Sequence, residues 1–179
     1  MVADKLLIVN LKKGREDAYR QIVEEYGNRL LRTCYLILKD REEAEDVVQE
    51  TFIKVFRNID SFRENSGLYT WIYTIALNLS RDRLRKKQDM FTIEVDLVGN
   101  NDVEYEVEKS IDKELLRKEL FEINSLYREV LVLFYFEELS IKEISNLLNE
   151  KEGTIKSKLS RGRDILKESL LKGGRLNGQ

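Results

Sequence analysis

Neither a histidine nor a proline occurs among the 179 residues, and Cys34 is the one cysteine. That composition excludes a disulfide within the chain, a Ser-His-Asp or Cys-His pair, and a zinc site of the usual ligand types. Carboxylates, amides, aromatic rings and cations are left to act, and they gather at three places. In the first, Glu42, Glu43, Glu45, Asp46 and Glu50 crowd one stretch around Gln49. On a helix, Asp46, Gln49 and Glu50 share a side opposite much of the apolar stripe. Three uses fit such a face: docking a protein, holding a magnesium ion between carboxylates one turn apart, or standing in water at a helix N-terminus whose dipole favours negative charge.

The second place is the helical stripe Thr74, Asn78, Arg81 and Arg85, where amide and guanidinium groups can hydrogen-bond bases or phosphates. Phe62, Tyr69, Trp71 and Tyr73 lie in or beside the irregular stretch 59–67 that also carries Asn65. These rings either stack on unpaired bases, at ~1 to 3 kcal/mol per stack, or fill the core of a small helical domain. At the third place, Ile155, Leu159, Gly162 and Leu166 share one helix face and point inward. Ser157, Ser160, Arg161 and Asp164 take the opposite face, with Lys156, Lys158 and Arg163 on the flanks. Short polar groups and an arginine facing base edges, with cations facing the phosphate walls, suit a DNA groove. An ordinary solvated basic helix is the plainer alternative.

Helices must position all three sets. A chain without proline lacks the residue that marks turns and strand edges, so an all-α fold is expected. Apolar residues recur at helical spacing from Arg15 to Leu38, through Ala18, Ile22, Val23, Tyr26, Leu30, Cys34 and Ile37. Asp40 and Glu43 have the spacing of an N-cap and its capping-box partner, opening a second helix from about 41 to 57. A third runs from Tyr69 to about Lys87 with Ile72, Ile75, Ala76 and Leu79 inward. Periodicity resumes from Ile111 to Ile123 and again from Leu126 to Phe136, the latter with Ser125 as the expected cap. Ser140 and Glu143 form a second capping-box pattern before a short helix, Ile141 to Leu148. A polar turn, Asn149 to Gly153, then leads to the basic helix from Thr154 to about Leu171, a helix-turn-helix pattern.

Charge separates along the chain even though the total is −2. Residues 81–90 carry +3, residues 91–122 carry −6 and residues 151–175 carry +5. Two basic patches flanking an acidic middle suit separate polyanion contacts and a repelled connector. The expected architecture is therefore two small helical domains, residues 1–88 and 110–172, joined by a flexible acidic linker at 89–109. Asp4 stands where an export signal would be basic, and the longest apolar run, Val130 to Phe136, is far short of a membrane span. A cytoplasmic protein is expected, with no stable membrane insertion, cofactor or metal.

The motif residues resemble a known family. Ala44 to Phe56 (AEDVVQETFIKVF), Trp71 to Asn78 (WIYTIALN) and Arg81 to Lys86 (RDRLRK) look like the polymerase-docking and promoter-melting domain of bacterial sigma factors, region 2. Tyr127 to Leu131 (YREVL), Glu137 to Ile144 (EELSIKEI) and Gly153 to Arg163 (GTIKSKLSRGR) resemble their second DNA-binding domain, region 4. With only two domains and a short linker, the chain most resembles the extracytoplasmic-function (ECF) group.

The resemblance implies a promoter-specificity subunit of RNA polymerase that is not itself an enzyme. Asp46, Gln49 and Glu50 fall where the family docks on the clamp helices of the largest polymerase subunit; the flap of the second largest is a further implied partner. Phe62, Asn65, Trp71, Thr74, Asn78, Arg81 and Arg85 are the implied minus-ten residues, with the loop at 59–67 holding a flipped base. Lys156, Ser157, Lys158, Ser160, Arg161 and Arg163 fall where the family reads the minus-thirty-five element. The linker would lie in the RNA exit path, and an anti-sigma protein is an expected partner.

Departures from the family are local. Ser125 and Lys151 stand near positions where prolines are usual, and Gly162 replaces a frequent alanine, which by propensity alone loosens the helix by ~1 kcal/mol. Two rivals remain. A stand-alone helix-turn-helix regulator would use only residues 110–172. A magnesium-dependent nucleotide pyrophosphohydrolase would use Glu42, Glu43 and Asp46 as ligands, but needs a second acidic helix facing the first.

Overall fold

The computed structural model describes residues 2–63, 67–91 and 111–176. The chain divides into two compact units, Met1–Gly99 and Asn100–Gln179, and the described residues are all-α, without strands.

The first unit holds α1 (Val2–Lys12), α2 (Glu16–Leu38), α3 (Arg41–Asn58) and α4 (Leu68–Phe91); short turns join α1 to α2 and α2 to α3, and a 3-10 turn at Ile59–Ser61 follows α3. The periodic stretches form α2, α3 and α4 as expected. Their inward faces meet through Ile22, Leu30, Ile37, Val47, Val55, Ile72, Tyr73 and Leu77, all fully buried. Val23, expected inward, is exposed, because α3 and α4 cover only part of the wide apolar stripe of α2. Helix α1 was not foreseen; it packs on α2, buries Leu7, Ile8 and Leu11, and is followed by a turn at Gly14, whose φ of +70° favours glycine.

Asp40 caps α3 as expected, its carboxylate accepting from the Glu43 N–H at 3.2 Å. The reciprocal half of that capping box is missing, because the Glu43 carboxylate is engaged by α4 instead. Helix α4 continues to Phe91, past the boundary expected at 88. The rest of the expected linker, 92–109, lies outside the described residues, as does Asn65.

In the second unit, α8 (Glu152–Leu176) packs on α5 (Ile111–Glu122), α6 (Ser125–Tyr135) and α7 (Ile141–Leu148). Asn124, rather than the expected Ser125, caps α6: its side chain accepts from the Leu126 N–H at 2.9 Å, and Ser125 is already the first helical residue. Helix α7 has both halves of its capping box between Ser140 and Glu143. Helix α8 starts two residues before the expected Thr154 and runs beyond Leu171 to Leu176.

Arg128 is a buried staple. Its guanidinium donates to the carbonyls of Ile123 at 2.8 Å and Phe121 at 3.3 Å, supplying partners for the end of α5. Burial pushes its pKa down to about 10, with the nearby Glu122 charge opposing. No helix among the described residues is long and apolar enough to cross a membrane.

Candidate docking and nucleic-acid surfaces

On α3, the buried positions Ala44, Val47 and Thr51 turn the acidic side outward. Asp46 and Gln49 are exposed and Glu50 is half-buried, so the three share the expected side of the helix. Their surroundings differ. The guanidinium of Arg83 on α4 bridges Glu43 and Glu50, each at 3.3 Å, and Lys54 approaches the other oxygen of Glu50 at 3.3 Å. Lys87 pairs with Asp40 at 3.0 Å and reaches Glu43 at 3.8 Å. Burial raises the Asp40 carboxyl, but the N–H of Glu43 and the ammonium of Lys87 outweigh it and leave its pKa below the usual value. A cation thus occupies the space between Glu43 and Glu50 and offsets the charge a magnesium ion would need.

On α4, Asn78 and Arg85 are exposed and Arg81 and Thr74 half-buried; Asn78, Arg81, Asp82 and Arg85 line one shallow open depression. Arg85 is ion-paired with Asp82 one turn away, and the Thr74 hydroxyl donates to the Thr70 carbonyl at 2.7 Å. Part of the net +3 of this segment is therefore offset from outside it, since Arg83 and Lys87 turn toward the carboxylates of Asp40, Glu43 and Glu50, while the pair of Arg85 with Asp82 is neutral within the segment.

The rings divide. Phe62 is 3% exposed, its centroid 5.1 Å from that of the half-buried Trp71, and Tyr73 is fully buried. The core alternative holds for Phe62 and Tyr73, so Phe62 offers no free face to a base. Tyr69 is half-buried with the Arg29 guanidinium 4.9 Å from its ring centre. Lys12 of α1 donates to the Phe62 carbonyl at 3.2 Å, which ties the stem of the loop to a helix the sequence reading missed.

On α8, Ile155 and Leu159 are buried, and Gly162 lies against α6. Lys156, Ser157, Ser160, Arg161 and Arg163 are exposed, the face expected from the helical wheel. Lys158 departs from it: its side chain is 12% exposed and its ammonium sits 2.6 Å from a Glu150 carboxylate oxygen, closing the turn before α8. The geometry is a capped short helix, a turn with Asn149 at φ +52°, and a longer helix showing hydroxyls and cations on one side.

Comparison with known proteins follows the same division. Residues 22–89 match Sigma-70 region 2, and residues 113–166 match Sigma-70, region 4. The ECF RNA polymerase sigma factor SigW of Bacillus subtilis is 35% identical over 184 residues, covering 93% of this chain and 96% of SigW. The chain belongs to the ECF RNA polymerase sigma factors. SigM of the same bacterium, another ECF sigma factor, is 35% identical over 150 residues, covering 82% of this chain and 91% of SigM.

Among solved structures, the sigma factor RpoE from Bartonella quintana, bound to the anti-sigma factor NepR, has a TM-score of 0.70 and 28% identity, covering 86% of this chain and 96% of that one. CnrH, bound to the cytosolic domain of CnrY, also scores 0.70 at 22% identity, covering 96% and 98%, and shares the fold. As an ECF sigma factor the chain is a transcription-initiation subunit of RNA polymerase that confers promoter specificity.

Proposed function

We propose that the two surfaces divide the work of a sigma factor as follows. Residues 1–88 form region 2, which docks on the clamp helices of the largest polymerase subunit through Asp46, Gln49 and Glu50. Residues 89–109 form the linker, and residues 110–172 form region 4, which meets the polymerase flap. Region 2 meets the minus-ten element through Asn78, Arg81 and Arg85, with Trp71, Thr74 and Asn65 as further contacts. Region 4 meets the minus-thirty-five element through Lys156, Ser157, Ser160, Arg161 and Arg163.

The observation that carries this reading is the exposed polar face of α8, with hydroxyls and Arg161 central and cations at the edges; its acids are Asp164 and, one turn further on, Glu168, which is paired with Lys172 at 2.7 Å. The protein acts in the cytoplasm as a binding subunit with no catalysis of its own. An anti-sigma protein controls it, a reading supported by the fold shared with RpoE, which is bound to NepR.

Footprinting of the full-length chain with core RNA polymerase on responsive promoters tests the assignment. Protection is expected at two elements, and changing Ser157 and Arg161 together removes the upstream one selectively. Loss of both together, or an unchanged footprint, refutes the division.

A further inference from the structure

Glu50 is held on both carboxylate oxygens by cations of its own chain. Lys54, one helical turn along α3, lies 3.3 Å from Oε1, and Arg83 of α4 lies 3.3 Å from Oε2. The same guanidinium contacts Glu43, so one arginine offsets two carboxylates on the face proposed for docking. By contrast, Asp46 is exposed and has no ion pair among the described residues. On a helical wheel Arg83 also points away from the stripe of Asn78, Arg81 and Arg85, so it serves α3 and not the proposed DNA surface. These pairs are partly solvated, with side chains 32% exposed for Arg83, 26% for Glu43 and 38% for Glu50, and such pairs contribute little to stability. They strongly change what an approaching charged surface meets, because charges at the rim of an interface act on encounter rate and salt dependence.

We propose that Arg83 and Lys54 mask the docking face, lowering the negative potential that Glu43 and Glu50 present to a cationic surface of core polymerase. This rests on the docking role given to α3 above. The pairs keep the free subunit's hold on core submaximal, and any event that removes a masking cation strengthens docking without a new contact. A purely structural role has the opposite sign, since loosening α4 from α3 weakens docking.

The test is the binding of full-length, N-terminally labelled chain to core RNA polymerase across a salt series. Masking is expected to make Arg83→Gln and Lys54→Gln each bind about 3- to 10-fold tighter at low salt, with a steeper salt dependence, while Arg83→Lys stays near wild type. Having Lys54→Gln as a second, independent variant keeps the test intact if Arg83→Gln folds poorly. Weaker or unchanged binding of both Gln variants overturns the masking. Asp46→Asn and Glu50→Gln are measured alongside: if neither weakens binding, the docking reading itself has failed, which differs from a failure of masking alone.

Discussion

Lys158 and Glu150 form a 2.6 Å ion pair that joins the start of α8 to the end of the turn before it. The lysine is spent on the architecture of the helix-turn-helix and not on the phosphate wall to which the sequence assigned it. Replacing Lys156, which is exposed, is expected to reduce the salt slope of promoter binding by ~0.9, whereas Lys158→Gln leaves the slope nearly unchanged. Salt titrations of binding to a minus-thirty-five duplex separate the two, and equal slopes for both variants contradict the assignment.

Arg161 stands on the exposed centre of the α8 face. Arg161→Ala is expected to weaken binding by ~1 to 3 kcal/mol and to relax base preference at one position. Competition against a panel of single-base variants checks it, and a uniform loss on every sequence demotes the residue to a phosphate contact.

Gly162 allows close packing rather than merely loosening α8. A Cβ there would lie 3.1 Å from Leu131 Cδ1, 3.2 Å from its Cγ and 3.3 Å from Tyr127 Cβ. Leu131 is fully buried and has little room to move. Gly162→Ala therefore gains ~1 kcal/mol of helix propensity and loses a comparable amount to crowding, giving no net stabilisation in denaturant unfolding. Gly162→Val is expected to cost ~1 to 3 kcal/mol. A clear gain from the alanine would show that the site relaxes freely.

Acid sensitivity follows from the capping carboxylates. Ser140 donates to the Glu143 carboxylate through its hydroxyl at 2.6 Å and its N–H at 2.8 Å, and these bonds hold the carboxyl below its ordinary value against a small opposing effect of burial. A lowered carboxylate pKa stabilises the fold above the unfolded value of about 4.3 and loses that contribution as pH falls through the folded value. Asp40 behaves alike in the first unit. Glu143→Gln is expected to lower the Tm near neutrality, with the gap from wild type closing below about pH 4. A gap that stays constant through the acid range contradicts the cap's role.

Local periodicity made much of the fold legible. Helices α2 to α7 and the α7 capping box follow from spacing within a few residues, as does the inward line of Ile155, Leu159 and Gly162. What escaped notice depends on distant partners. Leu7, Ile8 and Leu11 have the spacing for α1, yet only the packing of α2 gives them a face to cover. Arg83 lies 33 residues from Glu50, and no local pattern distinguishes it from Arg81 or Arg85. For Phe62 composition favours core over a stacking ring without deciding between them, and its burial beside Trp71 settles it. The site surfaces follow from helical phase, while their free charge was overestimated because ion pairs between helices are invisible in a residue count.

The most direct test of the whole account is transcription by core RNA polymerase on a library of fragments from the source genome, with and without the full-length chain. The account predicts new start sites preceded by two shared sequence elements at fixed spacing, lost when Asp46 and Arg161 are both replaced. No new start sites, or starts without shared upstream elements, would contradict it.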